Sequence, residues 1–188
     1  MRLTSKGRYA VRAMLDLTMH SNGNPVRLQE ISTRQNISLH YLEQLFRKLR
    51  NGQAVKSVRG PGGGYVLSRG MDQISVKDVL DCVGENINPA KDILGTEAET
   101  ANTVEFHLSK GYFQNLGIIM REYLTTTSLG DLARKAKEVE AEIITTGGTT
   151  ETITETVTEA ITPAPTTTTT TTETPQSAIR SPLGEINQ

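Results

Sequence analysis

Four side chains stand at spacings that could read nucleic-acid bases: His40, Glu43, Gln44 and Arg47. Among them lie Leu42, Leu45, Phe46 and Leu49, an apolar set with helical period. Burying that set turns His40, Glu43, Gln44 and Arg47 to the opposite, exposed face. In a major groove such side chains meet base edges. A glutamine carboxamide matches adenine at two points, and Arg47 and Lys48 suit phosphates or guanine. Further along stands Arg59, followed by Gly60, Pro61, Gly62, Gly63 and Gly64. That turn carries almost no side chains, so its backbone can approach a minor groove, where arginine reads groove shape.

The elements that must position these groups follow from the same patterns. Residues 5–20 read as a helix with Ala10, Ala13, Met14 and Leu17 on one face. Ser21-Asn22-Gly23-Asn24-Pro25 stops it. A short helix over about residues 28–35 turns Ile31 inward, and Asn36-Ile37 is a tight connection. The third helix opens at Ser38, a good N-cap, and runs to about Asn51-Gly52. Two short strands, residues 55–59 and 65–68, flank the glycine turn, with Arg59 at the base of the hairpin. Ser75-Val76-Lys77-Asp78 has capping-box form and opens a helix through Val83. Past an expected loop, a longer helix over about residues 102–124 aligns Leu108, Tyr112, Leu116, Ile119, Met120 and Tyr123. Ser128 caps a final helix over residues 129–140. The expected fold is therefore mainly α with a small β-hairpin wing: a winged helix-turn-helix domain, a long further helix and a disordered tail.

Helix-turn-helix geometry also occurs in protein-binding modules, and a basic face can be merely solvated, so helix, wing and charge are weighed together. The 188 residues carry a net charge of −1, but unevenly. Residues 1–70 hold 12 basic and 3 acidic groups, and residues 1–137 hold 19 and 13. Residues 138–188 hold 1 basic and 8 acidic groups. The basic N-terminal part points to a polyanion, double-stranded DNA. The tail differs in kind: 17 of the 30 residues from 145 to 174 are Thr, and four of 7 Pro lie beyond Ile161. Such a segment cannot bury enough apolar surface to offset its ordering entropy. The division expected is 1–83 for the DNA-binding domain, 84–101 for a loop, 102–144 for the long and final helices, and 145–188 for the tail.

Other function classes find little support. There is no nucleophile elbow and no P-loop; Gly60–Tyr65 lacks the Lys-Ser/Thr of a phosphate loop and lies between strands, so an enzyme is not expected. The single cysteine, Cys82, excludes a disulfide framework and any site built from several thiolates of this chain. No apolar run suits a signal peptide or a membrane span, so the chain is expected in the cytoplasm without a membrane partner.

Three stretches carry a family resemblance: MRLTSKGRYAVRAMLDL at the start, ISLHYLEQLFRKLR on the third helix and VRGPGGGY in the wing. Over about residues 1–137 the chain resembles the IscR family of iron–sulfur cluster regulators. The resemblance implies a homodimeric winged-helix transcription factor, with residues 102–124 as a long dimerisation helix, that binds palindromic promoter sites and controls iron–sulfur cluster assembly and related genes. The expected DNA-binding set is Arg2, Ser38, His40, Tyr41, Glu43, Gln44, Arg47 and Arg59, with Gly60, Pro61, Gly62, Gly63 and Gly64. Position 40 is usually serine in the family, so His40 is a departure that bears on base preference. The family's glutamate at the position of Glu43 rejects wrong sites, because a carboxylate near DNA repels unless a base donor meets it. Glu43 has a second reading as a surface charge paired with Arg47 at i+4.

The family's sensor is a [2Fe–2S] cluster on three cysteines and a histidine, spaced C-x5-C-x5-C-x2-H. The matching positions here are Asp92, Ala98, Val104 and His107. Thiolates hold such clusters as soft, charged donors, and none remains in this set. No cofactor is expected, and Asp92 and His107 are remnants with at most a weak mononuclear metal site. Cys82 reads as a small core residue. The expectation is a regulator in the cluster-free mode, controlled by its abundance, a protein partner or a small molecule. The tail is either a partner-binding segment or, more simply, a solvating linker. Two alternatives stay open: a cluster-free regulator of another pathway such as sulfur metabolism, and an adaptor that never touches DNA.

Overall fold

The computed structural model describes residues 4–85, 103–146 and 157–158. Along the chain run α1 (Ser5–His20), α2 (Leu28–Gln35), α3 (Leu39–Asn51), β1 (Val55–Val58) and β2 (Gly64–Leu67). A 3₁₀ turn (Met71–Gln73), α4 (Val76–Cys82), α5 (Val104–Thr126) and α6 (Leu129–Thr146) follow. The fold is mainly helical with one antiparallel hairpin, as the apolar periods imply.

The core forms where the periodic faces meet. Ala10, Ala13, Met14 and Leu17 of α1 pack with Ile31 of α2 and with Leu42, Leu45, Phe46 and Leu49 of α3. Val55, Ile74, Val79, Val83 and Leu129 close the same cluster. The turn between α2 and α3 is tight because Asn36 takes the left-handed conformation (φ 50°), one that Asn tolerates better than most residues. The Ser32 hydroxyl donates to the Ile37 carbonyl at 2.6 Å and pins that turn. A buried ion pair fixes α1 against α2. The Asp16 carboxylate is wholly enclosed and accepts from Arg34 and, at 2.7 Å, from Gln35 Nε2.

The hairpin pairs Val55 with Leu67 through Val58 with Gly64. Arg59 is thus the first residue of the connecting turn, at the tip of the hairpin and not at its base. The strands end one residue earlier than the pattern suggests. The wing is stapled to the segment entering α2: Tyr65 N–H donates to the Val26 carbonyl at 2.8 Å, and Val26 N–H to Tyr65 at 3.0 Å. Position 64 must be glycine for this approach, since a Cβ there would lie 2.3 Å from the Val26 oxygen. From the other side the Tyr65 ring meets Phe46 edge-on at 4.9 Å. Wing and α3 therefore share one packed contact.

Two reciprocal caps start α4 and α6 side by side. Ser75 and Asp78 form the capping box expected from their spacing. Ser128 and Asp131 form another, with Asp131 N–H donating to the Ser128 hydroxyl at 3.0 Å and Ser128 N–H to the carboxylate at 2.9 Å. Leu129 N–H reaches the Ile74 carbonyl and Val76 N–H the Thr127 carbonyl, both at 2.9 Å. The final helix outruns its expected end at residue 140. Val139 is buried and Ile143 half-buried, so the apolar line runs on beyond residue 140 to the edge of the Thr-rich segment. Arg2, Asp92, Ala98, most of the loop expected at 84–101 and nearly all of the tail lie outside the described residues.

Candidate nucleic-acid interface

Helix α3 buries Leu42, Leu45, Phe46 and Leu49, and this alone exposes the other side. His40, Glu43, Gln44, Arg47 and Lys48 all stand in solvent on that side, as the spacing requires. Three of them are linked. Gln44 Nε2 lies 2.9 Å from His40 Nε2, and His40 Nδ1 lies 3.8 Å from Glu43 Oε2. Glu43 thus pairs along the helix with His40; among the described residues no Glu43–Arg47 ion pair forms. Sequence spacing allowed both pairings, and only side-chain direction separates them.

Other expected site residues take more specific places. Ser38 occupies the N-cap position of α3 with its side chain exposed, but its hydroxyl makes no capping bond. The helix start is held instead by the main chain, Leu42 N–H donating to the Ser38 carbonyl at 3.0 Å. Tyr41 is half-buried against the core, its ring edge-on to Tyr9 of α1 at 5.9 Å. Arg59 is exposed at the wing tip. Beyond it Gly63 N–H donates to the Gly60 carbonyl at 2.9 Å across Pro61 and Gly62. Gly62 has φ 88°, the left-handed value that makes this a type II turn and favours glycine there.

Two features were not legible as part of the site. The Asp16–Arg34–Gln35 cluster orients α2, and Arg12 extends it by donating to Gln35 Oε1 at 3.0 Å and to the Gln35 carbonyl. The one sequence signal was an acidic residue beside the apolar face of α1. On the far side of α3, Arg50 and Lys56 line a shallow concavity with Arg69 between helix and hairpin. Arg69 is engaged by Asp78 at 3.0 Å. Burial pushes the Asp78 carboxyl up, but hydrogen bonds from Ser75 and Arg69 outweigh it and leave it below the usual range.

The family's cluster does not fit the residues present. Val104 is an exposed apolar side chain at the start of α5. His107, one turn later, is exposed with its ring edge-on to Phe106 at 5.6 Å. The one thiol, Cys82, sits on α4 and donates to the Gly52 carbonyl at 3.4 Å. Burial pushes that thiol up, away from thiolate character. A single thiol cannot replace three thiolates.

Helix α5 shows a divided surface. Phe106, Lys110, Phe113, Gly117, Met120 and Leu124 form its more buried line. Leu108, Tyr112, Leu116, Ile119 and Tyr123 line the opposite side and are exposed. Met120 departs from the expected stripe, being half-buried at its inner edge. No helix among the described residues is long and apolar enough to cross a membrane.

Comparison with known proteins places this geometry. The model of the Rrf2 family, described as iron-dependent transcriptional regulators, matches residues 3–135. An HTH-type transcriptional regulator IscR of Sodalis glossinidius is 48% identical over 132 residues, covering 70% of this chain and 78% of the relative. The solved structure of CymR, the global cysteine regulator of B. subtilis, superposes with a TM-score of 0.61 at 33% identity, covering 71% of this chain and 97% of that one. The structure of T. potens IscR gives a TM-score of 0.59 at 33% identity, covering 73% and 90%. These relatives are transcriptional regulators, not enzymes.

Proposed function

Because the chain belongs to the Rrf2 family of transcriptional regulators, we propose that it is a sequence-specific DNA-binding regulator of the IscR type that acts without an iron–sulfur cluster. The observation that carries this is the exposed row of His40, Glu43, Gln44 and Arg47 on α3, packed through Phe46 and Tyr65 against a wing tipped by Arg59. An α3-like helix fits a major groove while the wing meets the adjacent minor groove. The proposed contact set is the one expected from sequence, with Ser38 and Tyr41 at the start of α3, Gly60–Gly64 at the wing and Arg2 at the N-terminus. The exposed stripe on α5 supports a homodimer, since a contiguous apolar surface in water favours a partner. A two-fold dimer reads an inverted repeat. A protein that works on promoters acts in the cytoplasm of a bacterial cell.

Iron–sulfur assembly genes are the first targets to examine. Sulfur metabolism is the second, favoured by the absent cysteines and by the likeness to a cysteine regulator.

Selection from a pool of random duplexes tests the reading. The full chain should enrich an inverted repeat, and enrichment of no sequence would refute it. Iron and sulfide assays on protein purified without oxygen test cluster independence. A colourless, iron-free protein that still binds DNA is expected; stoichiometric iron and sulfide would overturn this part.

A further inference from the structure

We propose that His40 is a positioning residue that makes Gln44 read adenine in preference to guanine. The inference rests on the DNA-binding reading above and adds a source of specificity to it.

A glutamine carboxamide has two N–H donors and one carbonyl acceptor. On a bare helix surface it turns about its last bond and presents either end. Here His40 and Gln44 stand one turn apart, and Gln44 Nε2 lies 2.9 Å from His40 Nε2. The amide nitrogen carries only protons, so it donates and the ring nitrogen accepts. Nε2 accepts only if the ring proton sits on Nδ1. Nδ1 is the nitrogen that faces Glu43, 3.8 Å from Oε2, and a carboxylate favours a proton on that side. The Glu43 charge thus favours the tautomer with the proton on Nδ1, and in that tautomer the ring takes one N–H of Gln44. One N–H and the carbonyl oxygen remain for a ligand.

In the major groove adenine shows an acceptor at N7 and a donor at N6; guanine shows two acceptors, N7 and O6. The remaining groups of Gln44 match adenine at both points. Against guanine the carbonyl would face O6, two acceptors with no proton between them. Turning a second N–H toward guanine means giving up the bond to His40. A serine at position 40 would not impose this, because a hydroxyl donates as readily as it accepts. His40 therefore selects a base without touching it.

The test uses the full chain with its own sequence and as His40→Ala, His40→Gln and Gln44→Ala. Selection from random duplexes defines the site, and the base pair whose preference Gln44→Ala removes is the one Gln44 reads. Fluorescence anisotropy then compares duplexes with adenine or guanine at that position. The unchanged chain should prefer adenine, and His40→Ala should lower the adenine-over-guanine ratio about tenfold. His40→Gln, whose carbonyl can accept the same N–H, should restore most of it. All variants should keep their melting temperature, the positions being exposed. An unchanged ratio in His40→Ala overturns the proposal, as does a Gln44-dependent preference for guanine, or no preference lost in Gln44→Ala. Failure of the unchanged chain to enrich any duplex removes the DNA-binding reading itself, and shows before any variant is measured.

Discussion

Arg34 of α2 grips Asp16 of α1 with two parallel bonds, Nη2 to Oδ1 at 2.7 Å and Nε to Oδ2 at 3.1 Å, and the carboxylate has no exposed surface. The hydrogen bond to Asp16 raises Arg34 above its ordinary range. The two partners are not equivalent, since the Arg34 side chain keeps 31% of its exposure. Arg34→Ala strands a buried carboxylate and should cost about 3 kcal/mol in urea denaturation. Asp16→Asn leaves an arginine that can rehydrate and should cost about 1–2 kcal/mol. Equal losses would show that the enclosure of Asp16 does not govern the pair.

DNA affinity should fall steeply with salt, by a log–log slope of about −0.9 for each phosphate neutralised. Arg47→Ala should weaken binding to all duplexes alike. Arg59→Ala should weaken the enriched site about tenfold while sparing random duplexes. A flat salt dependence would contradict the basic face.

Glu43 faces His40 and not Arg47, so its charge remains available to repel unsuitable bases. Glu43→Ala should broaden the set of selected duplexes, read as lower information content in the enriched repeat. Unchanged selectivity would reduce Glu43 to a surface charge.

Ile119 lies in the middle of the exposed stripe on α5 and is 56% exposed. Ile119→Glu should convert a dimer to a monomer in light scattering while leaving the melting temperature of the monomer nearly unchanged. Affinity for the inverted repeat should fall with it, because two half-sites would then be bound independently. A dimer that survives would place the interface elsewhere.

The Ser128 side-chain and main-chain hydrogen bonds, with Arg134, lower Asp131 to about 2. A carboxyl depressed on folding stabilises above its unfolded value near 3.9 and loses that contribution as pH falls through 2. Asp131→Ala should therefore cost about 1 kcal/mol at neutral pH, a typical cap contribution. The gap between the variant and the unchanged chain should close between about pH 4 and pH 2. A gap independent of pH would assign the loss to helix propensity.

The helices were legible because their apolar residues repeat with helical period, and the Ser75–Asp78 capping box because it is local; Ser128 was read as a cap, while its reciprocal pairing with Asp131 was not. Arg59 was misplaced within the hairpin because strand ends depend on register, set here by the docking of Tyr65 on Val26. The last turns of α6 were missed because Ile143, which is half-buried, stands beside a Thr-rich segment that reads as a tail. Met120 fits the stripe by spacing alone; where α5 rests on its neighbours decides which edge of the stripe it joins.

By itself the sequence determined whatever is local or countable. It set the helical faces, the caps, the basic N-terminal charge and the supply of thiols, which bars the family's cluster whatever the fold. Tertiary structure decided the contacts between distant segments. Asp16 meets Arg34, Asp72 meets Arg134 at 2.8 Å, and Thr4 and Lys6 meet the buried Glu85. Within α3 the pairing of His40 with Glu43 and Gln44 is local, and side-chain direction on the exposed face decides it. Period and composition carry no information about how helices cross or which rotamer a side chain takes. For buried side chains those follow from close packing of the whole core.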